Sequence, residues 1–197
     1  MSLVARFWES GAEGHWREGR AYDLALLAEM TAAERLEVER RLVERPLPEL
    51  FEMEAMAALK TARCLETLRW FVDKGSAMQK LNAASCLASA GDPGVMAAVL
   101  DEIVPRAMEG GDELFSRVLD QVAWTRHEAA LPALMAMVER GPGRRAGLCG
   151  ALVLYLKGKA GERLAMEHRP LWLRLKEEDE EERAPAVAEL KRVAGLA

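Results

Sequence analysis

A chain of 197 residues, half of them hydrophobic and 30% charged, has the make-up of a globular domain that folds without staples. Its net charge of -5 argues against the dense cationic surface that non-specific nucleic-acid binding needs. No apolar run approaches the roughly 18 residues that span a membrane. Ala and Leu dominate and Ile occurs once, at Ile103, an alphabet that favours helices over sheets.

Helical periodicity runs along almost the whole chain, with breaks at regular intervals. Residues 1–14, with Trp8 and the nearby Trp16, are expected to cap the N-terminal end. Residues 15–45 read as a first helix pair, whose second helix opens on the capping box Thr31-Ala32-Ala33-Glu34. In the pair 48–74, Thr61 holds the equivalent turn, and Leu65, Leu68 and Val72 form the expected buried stripe of the second helix. The pair 76–110 has the clearest turn. Gly91 suits a left-handed C-cap, Asp92 a cap of the next helix and Pro93 its first position. In the pair 112–140, Asp112 is expected to cap the first helix and His127 to sit at the turn. The pair 143–176 turns near Gly158–Gly161. A last helix, about 180–194, caps the stack. The acidic run Glu177-Glu178-Asp179-Glu180-Glu181-Glu182 lies by its start as a solvated cap, where the helix dipole favours negative charge.

The turn positions Thr31, Thr61, Asp92 and His127 are separated by 30, 31 and 35 residues, a period that stacked helix pairs require. One pair cannot bury its apolar face alone, whereas stacked pairs share a continuous core. The expected fold is all-α, an α-solenoid of about five stacked antiparallel helix pairs in a single domain, 1–197. A non-repeating helical bundle is the alternative.

The unit Ala83-Ala84-Ser85-Cys86-Leu87-Ala88-Ser89-Ala90-Gly91-Asp92-Pro93, followed by a Leu-rich helix, resembles the repeat of HEAT proteins and of the HEAT-like bilin lyases. The likeness is strongest over 83–100 and looser elsewhere. It implies a stack whose second helices line a concave binding face.

Cys64, Cys86 and Cys149 form no CxxC pair and no metal-ligand spacing. They read as buried apolar residues in a reducing compartment. The opening MSLVARFWESG lacks a signal-peptide core, and a cytoplasmic location is expected. His15, His127 and His168 are too scattered for a metal site, and no HExxH occurs. His127-Glu128 is a single His-Glu pair, where the HEAT-like deoxyhypusine hydroxylases repeat such pairs. His127 is therefore expected to be structural. Gly141-Pro142-Gly143-Arg144-Arg145-Ala146-Gly147 is neither GxGxxG nor a Walker motif. It reads as a turn, with weak anion binding at a helix start as the alternative. HEAT-like DNA glycosylases use Trp and Asp on a basic concave surface. Trp70, Trp124 and Asp101 are present here, but the acidic balance counts against that class, and nothing marks a bilin site. No catalytic residue, cofactor or metal is expected.

On the second helix of the 48–74 pair, Glu66, Trp70 and Asp73 fall opposite the stripe. Arg40 and Asp101 occupy the position of Trp70 in neighbouring units, as does Ala136. Arg40, Glu66, Trp70, Asp73 and Asp101 are thus the candidate protein-binding residues, since Trp and Arg are enriched at hot spots. The alternative is that Trp70 packs against a neighbouring pair. The expected function is a non-enzymatic protein-binding scaffold with an unidentified protein partner and no membrane association. Two alternatives stand beside it. One is an immunity or inhibitor protein that neutralises a basic bacterial toxin, and the other a HEAT-like enzyme of bilin-lyase or DNA-glycosylase type.

Overall fold

The computed structural model describes residues 1–12, 21–161 and 166–196. Among the described residues every regular element is a helix and no strand occurs. They form two compact units, Met1–Val99 and Leu100–Ala197, divided within one helix.

The first unit contains α1 (Leu3–Ala12), a short α2 (Leu26–Glu29), α3 (Ala32–Val43), α4 (Leu50–Leu59), α5 (Ala62–Lys74), α6 (Ala77–Ala90) and the start of α7 (Gly94–Glu109). Side chains fix where these helices begin. Thr31 accepts from the Glu34 amide while Glu34 accepts from the Thr31 amide, and Ser76 with Gln79 does the same for α6. That exchange holds the Glu34 carboxyl below its ordinary range. Thr61 accepts from the Cys64 amide. At the other end of α6, Gly91 takes the left-handed conformation expected of it, with φ 116°. Helices pack on their sequence neighbours and also on alternate ones: α3 on α4 and α5, α4 on α5 and α6. Alternate contact is what stacked pairs require, because first helices meet first helices and second helices meet second helices.

The core of this unit includes Phe7, Val38, Leu42, Met53, Met56, Leu68 and Phe71. Four details differ from the sequence reading. The buried stripe of α5 is Cys64, Leu68 and Phe71, with Leu65 and Val72 half-buried beside it. The bulky Phe71 turns inward because α5 is packed on both α4 and α6. In the 15–45 pair the described part of the first helix is only the four residues of α2, while Trp16 and His15 lie outside the described residues. Residues 3–12, expected as a cap, form α1, which packs on α2 and α3. Helix α7 begins at Gly94 rather than Pro93, and the Asp92 carboxylate lies 3.7 Å from Arg69.

The second unit holds the rest of α7, then α8 (Asp112–Thr125), a 3-10 turn (Glu128–Ala130), α9 (Leu131–Arg140), α10 (Gly143–Leu156), a second 3-10 turn (Met166–His168), α11 (Arg169–Arg174) and α12 (Glu180–Ala194). Helix α10 is central and packs on α8, α9, α11 and α12. Apolar or small residues surround it on nearly every side, as burial on all faces demands.

Three glycines at helical spacing let the chain cross α10 closely. A β-carbon on Gly143 would lie 2.0 Å from the Lys176 carbonyl oxygen, one on Gly147 2.5 Å from the Lys176 side chain, and one on Gly150 2.5 Å from Leu175. The glycine-rich stretch is therefore a packing surface. Its helix start is already filled, since the Gly143 amide donates to the Glu178 carboxylate at 2.9 Å. That contact, made within the chain, displaces the anion-binding alternative.

The acidic run is likewise built into the fold rather than merely solvated. Asp179 caps α12 by accepting from the Glu181 and Glu182 amides. Arg183, with no exposed surface, donates to the carbonyls of Glu177 and Glu139. The second of these sits in the last turn of α9, where the helix dipole favours a cation.

Two expected caps are used differently. Gly111 takes the cap position of α8, and the Asp112 carboxylate instead pairs with Arg145 at 2.7 Å, which holds that carboxyl below its ordinary range. Arg145 also donates to the Met108 and Gly110 carbonyls and stacks over Phe115. One arginine thus ties α10 to the turn between α7 and α8. His127 makes no side-chain cap bond and turns to Asp101 instead.

A β-carbon at Gly143 meets backbone that cannot swing aside, whereas one at Gly94 meets nothing within 4 Å. Gly143→Ala is expected to destabilise the protein by about 1–3 kcal/mol. Gly94→Ala is expected to be neutral or to stabilise by up to about 1 kcal/mol. Parallel urea titrations of the two variants check both.

Candidate binding surface

Trp70 projects from α5 with 57% of its surface exposed and meets Phe71 edge-on, at 5.0 Å between ring centroids. It stands at an open groove of about 450 Å³ beside the end of α3 and the turn that follows. Val43, Glu44, Arg45 and Pro46 form one wall, and Arg63, Glu66, Thr67 and Trp70 the other. Helix α5 supplies Arg63, Glu66, Thr67 and Trp70 because these positions, at spacings of three and four, share one helical face. A second hollow, bounded by Trp8, Arg41, Glu44, Arg45 and Pro46, adjoins the first through Glu44, Arg45 and Pro46.

Arg45 is held in place from below. Glu52 has only 2% of its surface exposed, yet its carboxylate has two partners. It accepts from the Glu49 amide at 2.9 Å and pairs with Arg45 Nε at 3.2 Å. The Arg45 guanidinium also lies over the Trp8 ring, as does that of Arg41, each 5.9 Å from the centroid. Tyr22 stacks on Phe7 beneath this layer, and its hydroxyl is pushed up to about 12, first by burial and then by Glu52. The groove therefore offers a partly fixed guanidinium, an exposed indole and carboxylates of opposite charge. That is a surface for polar and apolar contacts side by side, as protein interfaces combine them.

The five sequence candidates fall as follows. Glu66 and Trp70 share the groove. Arg40 is exposed on α3 and does not line it, though it lies 3.9 Å from Glu44, which does. Asp73 is exposed and pairs with its neighbour Lys74 at 2.8 Å. Asp101 belongs to the second unit, where it is exposed and meets His127 Nε2 at 2.8 Å. This His-Asp contact joins α7 to the turn after α8. Sequence reasoning did not single out Arg45 or Arg63. Arg63 shares the helical face of Glu66 and Trp70, a signal that spacing carries, whereas spacing gives no hint of Arg45, which reaches the groove from a turn and whose anchor Glu52 lies in a different helix.

The second unit also exposes an aromatic. Trp124, near the end of α8, has 86% of its surface exposed. Close by in sequence, Arg126 lies over the Tyr155 ring at 5.3 Å. His168 Nε2 donates to the Lys159 carbonyl at 2.7 Å. All three cysteines are free and buried, and burial pushes the Cys86 and Cys149 thiols up to about 12. Among the described residues no group of three or more His, Cys, Asp or Glu side chains is placed to hold a metal ion. None of the described helices is long and apolar enough to cross a membrane.

No family model matches the chain, and neither curated proteins nor solved structures give a match.

Glu52→Ala leaves the Arg45 guanidinium and the Glu49 amide without their acceptor. It is expected to cost about 2–4 kcal/mol in stability, and Glu52→Gln less, since the amide oxygen still accepts one bond. Urea titration measures the cost, and tryptophan fluorescence follows the surroundings of Trp8.

Proposed function

We propose that this chain is a non-enzymatic, protein-binding scaffold of HEAT-like character, and that the Trp70 groove of the first unit is its principal contact surface. The observation that carries the reading is the 57% exposure of Trp70 beside a guanidinium fixed by a buried carboxylate. A large aromatic left more than half in water gives the fold less than a buried one would. Trp and Arg together are the residues from which binding hot spots are most often built. A groove on packed helices also binds with little ordering cost. The helix-pair order and the Gly91 turn support the HEAT-like reading, and three free buried thiols suit a reducing, cytoplasmic setting.

Trp70→Ala is expected to weaken partner binding by about 2 kcal/mol or more, roughly thirty-fold in Kd. The fold should survive, because the side chain is largely outside the core. The test captures binding partners from the native lysate with the wild type. It then measures Kd for Trp70→Ala and Asp101→Lys, each shown to be folded by circular dichroism. Loss of affinity in Trp70→Ala alone supports the groove. Equal affinity in Trp70→Ala and wild type removes it, and loss only in Asp101→Lys moves the contact surface to the second unit.

A further inference from the structure

A smaller hollow lies on the first unit between α4 and α6. Its described walls are Leu24, Leu50, Ala57 and Ala58 on one side and Ser85, Cys86 and Ser89 on the other, with a volume of about 260 Å³. The hollow exists because facing positions on two packed helices are small. Residues 50, 54, 57 and 58 share one face of α4, and residues 85, 86 and 89 one face of α6. Alanine, serine and cysteine there leave space that larger side chains would fill. Ser89 does not reach into that space for a partner, since its hydroxyl donates to the Ser85 carbonyl at 3.1 Å.

Two charged residues border the hollow, Glu54 and Lys60. Glu54 already has an interaction partner within the chain. Lys60 has no ion-pair partner among the described residues, and its backbone is held left-handed, with φ 54° and ψ 22°. That conformation is strained for a residue that bears a side chain. The corresponding caps of α6 and α12 use glycine. The only other described non-glycine residue at positive φ is Arg126, whose guanidinium is engaged by Tyr155. A cation at the end of α4 also suits the helix dipole. Lys60 thus stands in a left-handed backbone conformation, without an ion pair among the described residues, at the rim of a largely apolar hollow.

We propose that this hollow is a binding site for a short aliphatic carboxylate. The carboxylate head pairs with the Lys60 ammonium. The tail lies along Ala57 and Ala58 against Ser85, Cys86 and Ser89 of α6. Lys60 and Glu54 are six residues apart on α4, on the order of 9 Å along the helix axis, so the head is held away from the like-charged carboxylate. The small size of the hollow, about 260 Å³, suits a short tail such as that of octanoate.

The test is isothermal titration of the full chain with octanoate and with octan-1-ol. Octanoate is expected to bind at least ten-fold more tightly than the alcohol. Lys60→Gln keeps the backbone strain and removes the charge, and should weaken octanoate at least ten-fold, to the level of the alcohol. Lys60→Gly should raise the melting temperature by relieving the left-handed backbone while losing the preference for octanoate, which separates a lost head contact from a damaged fold. Ala58→Phe, at an exposed position of α4, should fill the hollow and abolish both ligands. Absence of octanoate binding, wild-type affinity in Lys60→Gln, or unchanged binding in Ala58→Phe would each overturn the proposal.

Discussion

An amphipathic helix pair leaves part of its apolar surface uncovered, and the next pair has to meet it. In the first unit this constraint sets the order of contacts. Helix α4 packs on α6 as well as on α5, and α3 on α5 as well as on α4. It also explains why Phe71 and Leu68 are buried while Trp70, on the same helix, is not. A helix covered on two sides by neighbours has one face left for solvent, and whatever stands on that face is available to a partner.

The second unit answers the same constraint by close approach along α10. At Gly143 backbone meets backbone, and at Gly147 and Gly150 the missing β-carbon leaves room for the Lys176 and Leu175 side chains. Polar groups of this unit find partners within the chain. Glu178 takes the Gly143 amide, Arg183 takes the carbonyls of Glu177 and Glu139, and Arg145 takes those of Met108 and Gly110. Buried polar groups are costly when unpaired and specific when paired. Charges that look like surface decoration in the sequence therefore act as connectors between helices.

Beside the Trp70 groove the same use of charge reaches the surface. Glu52 is buried and satisfied, and its partner Arg45 carries that order outward to the Trp8 ring and the groove wall. A guanidinium held this way loses less freedom when it meets a ligand than one on a free side chain. The groove and the small hollow between α4 and α6 differ in chemistry. The first combines an exposed indole with charges of both signs, and the second sets an apolar floor between Glu54 and Lys60.

Most of the helices are legible in the sequence, because periodicity, capping residues and glycine stops are local. Thr31, Thr61, Gly91 and the 180–194 helix all stand where spacing places them. The burial of the cysteines is legible as well, since their neighbours are small and apolar. Two residues of the candidate groove, Glu66 and Trp70, are also legible, because they lie on a helix whose outward face is readable. The rest depends on tertiary contacts. Asp112 and His127 look like caps, but Arg145 and Asp101 compete for them across 33 and 26 residues. The glycine stretch at 141–147 reads as a turn, with anion binding as the alternative, and its role as a packing surface emerges once residues 176–178 are laid over it. Arg45 becomes a groove residue only once Glu52 and Trp8 are folded beside it. In each case the deciding partner is remote in the chain, and a local pattern carries no information about which remote charge or backbone will arrive.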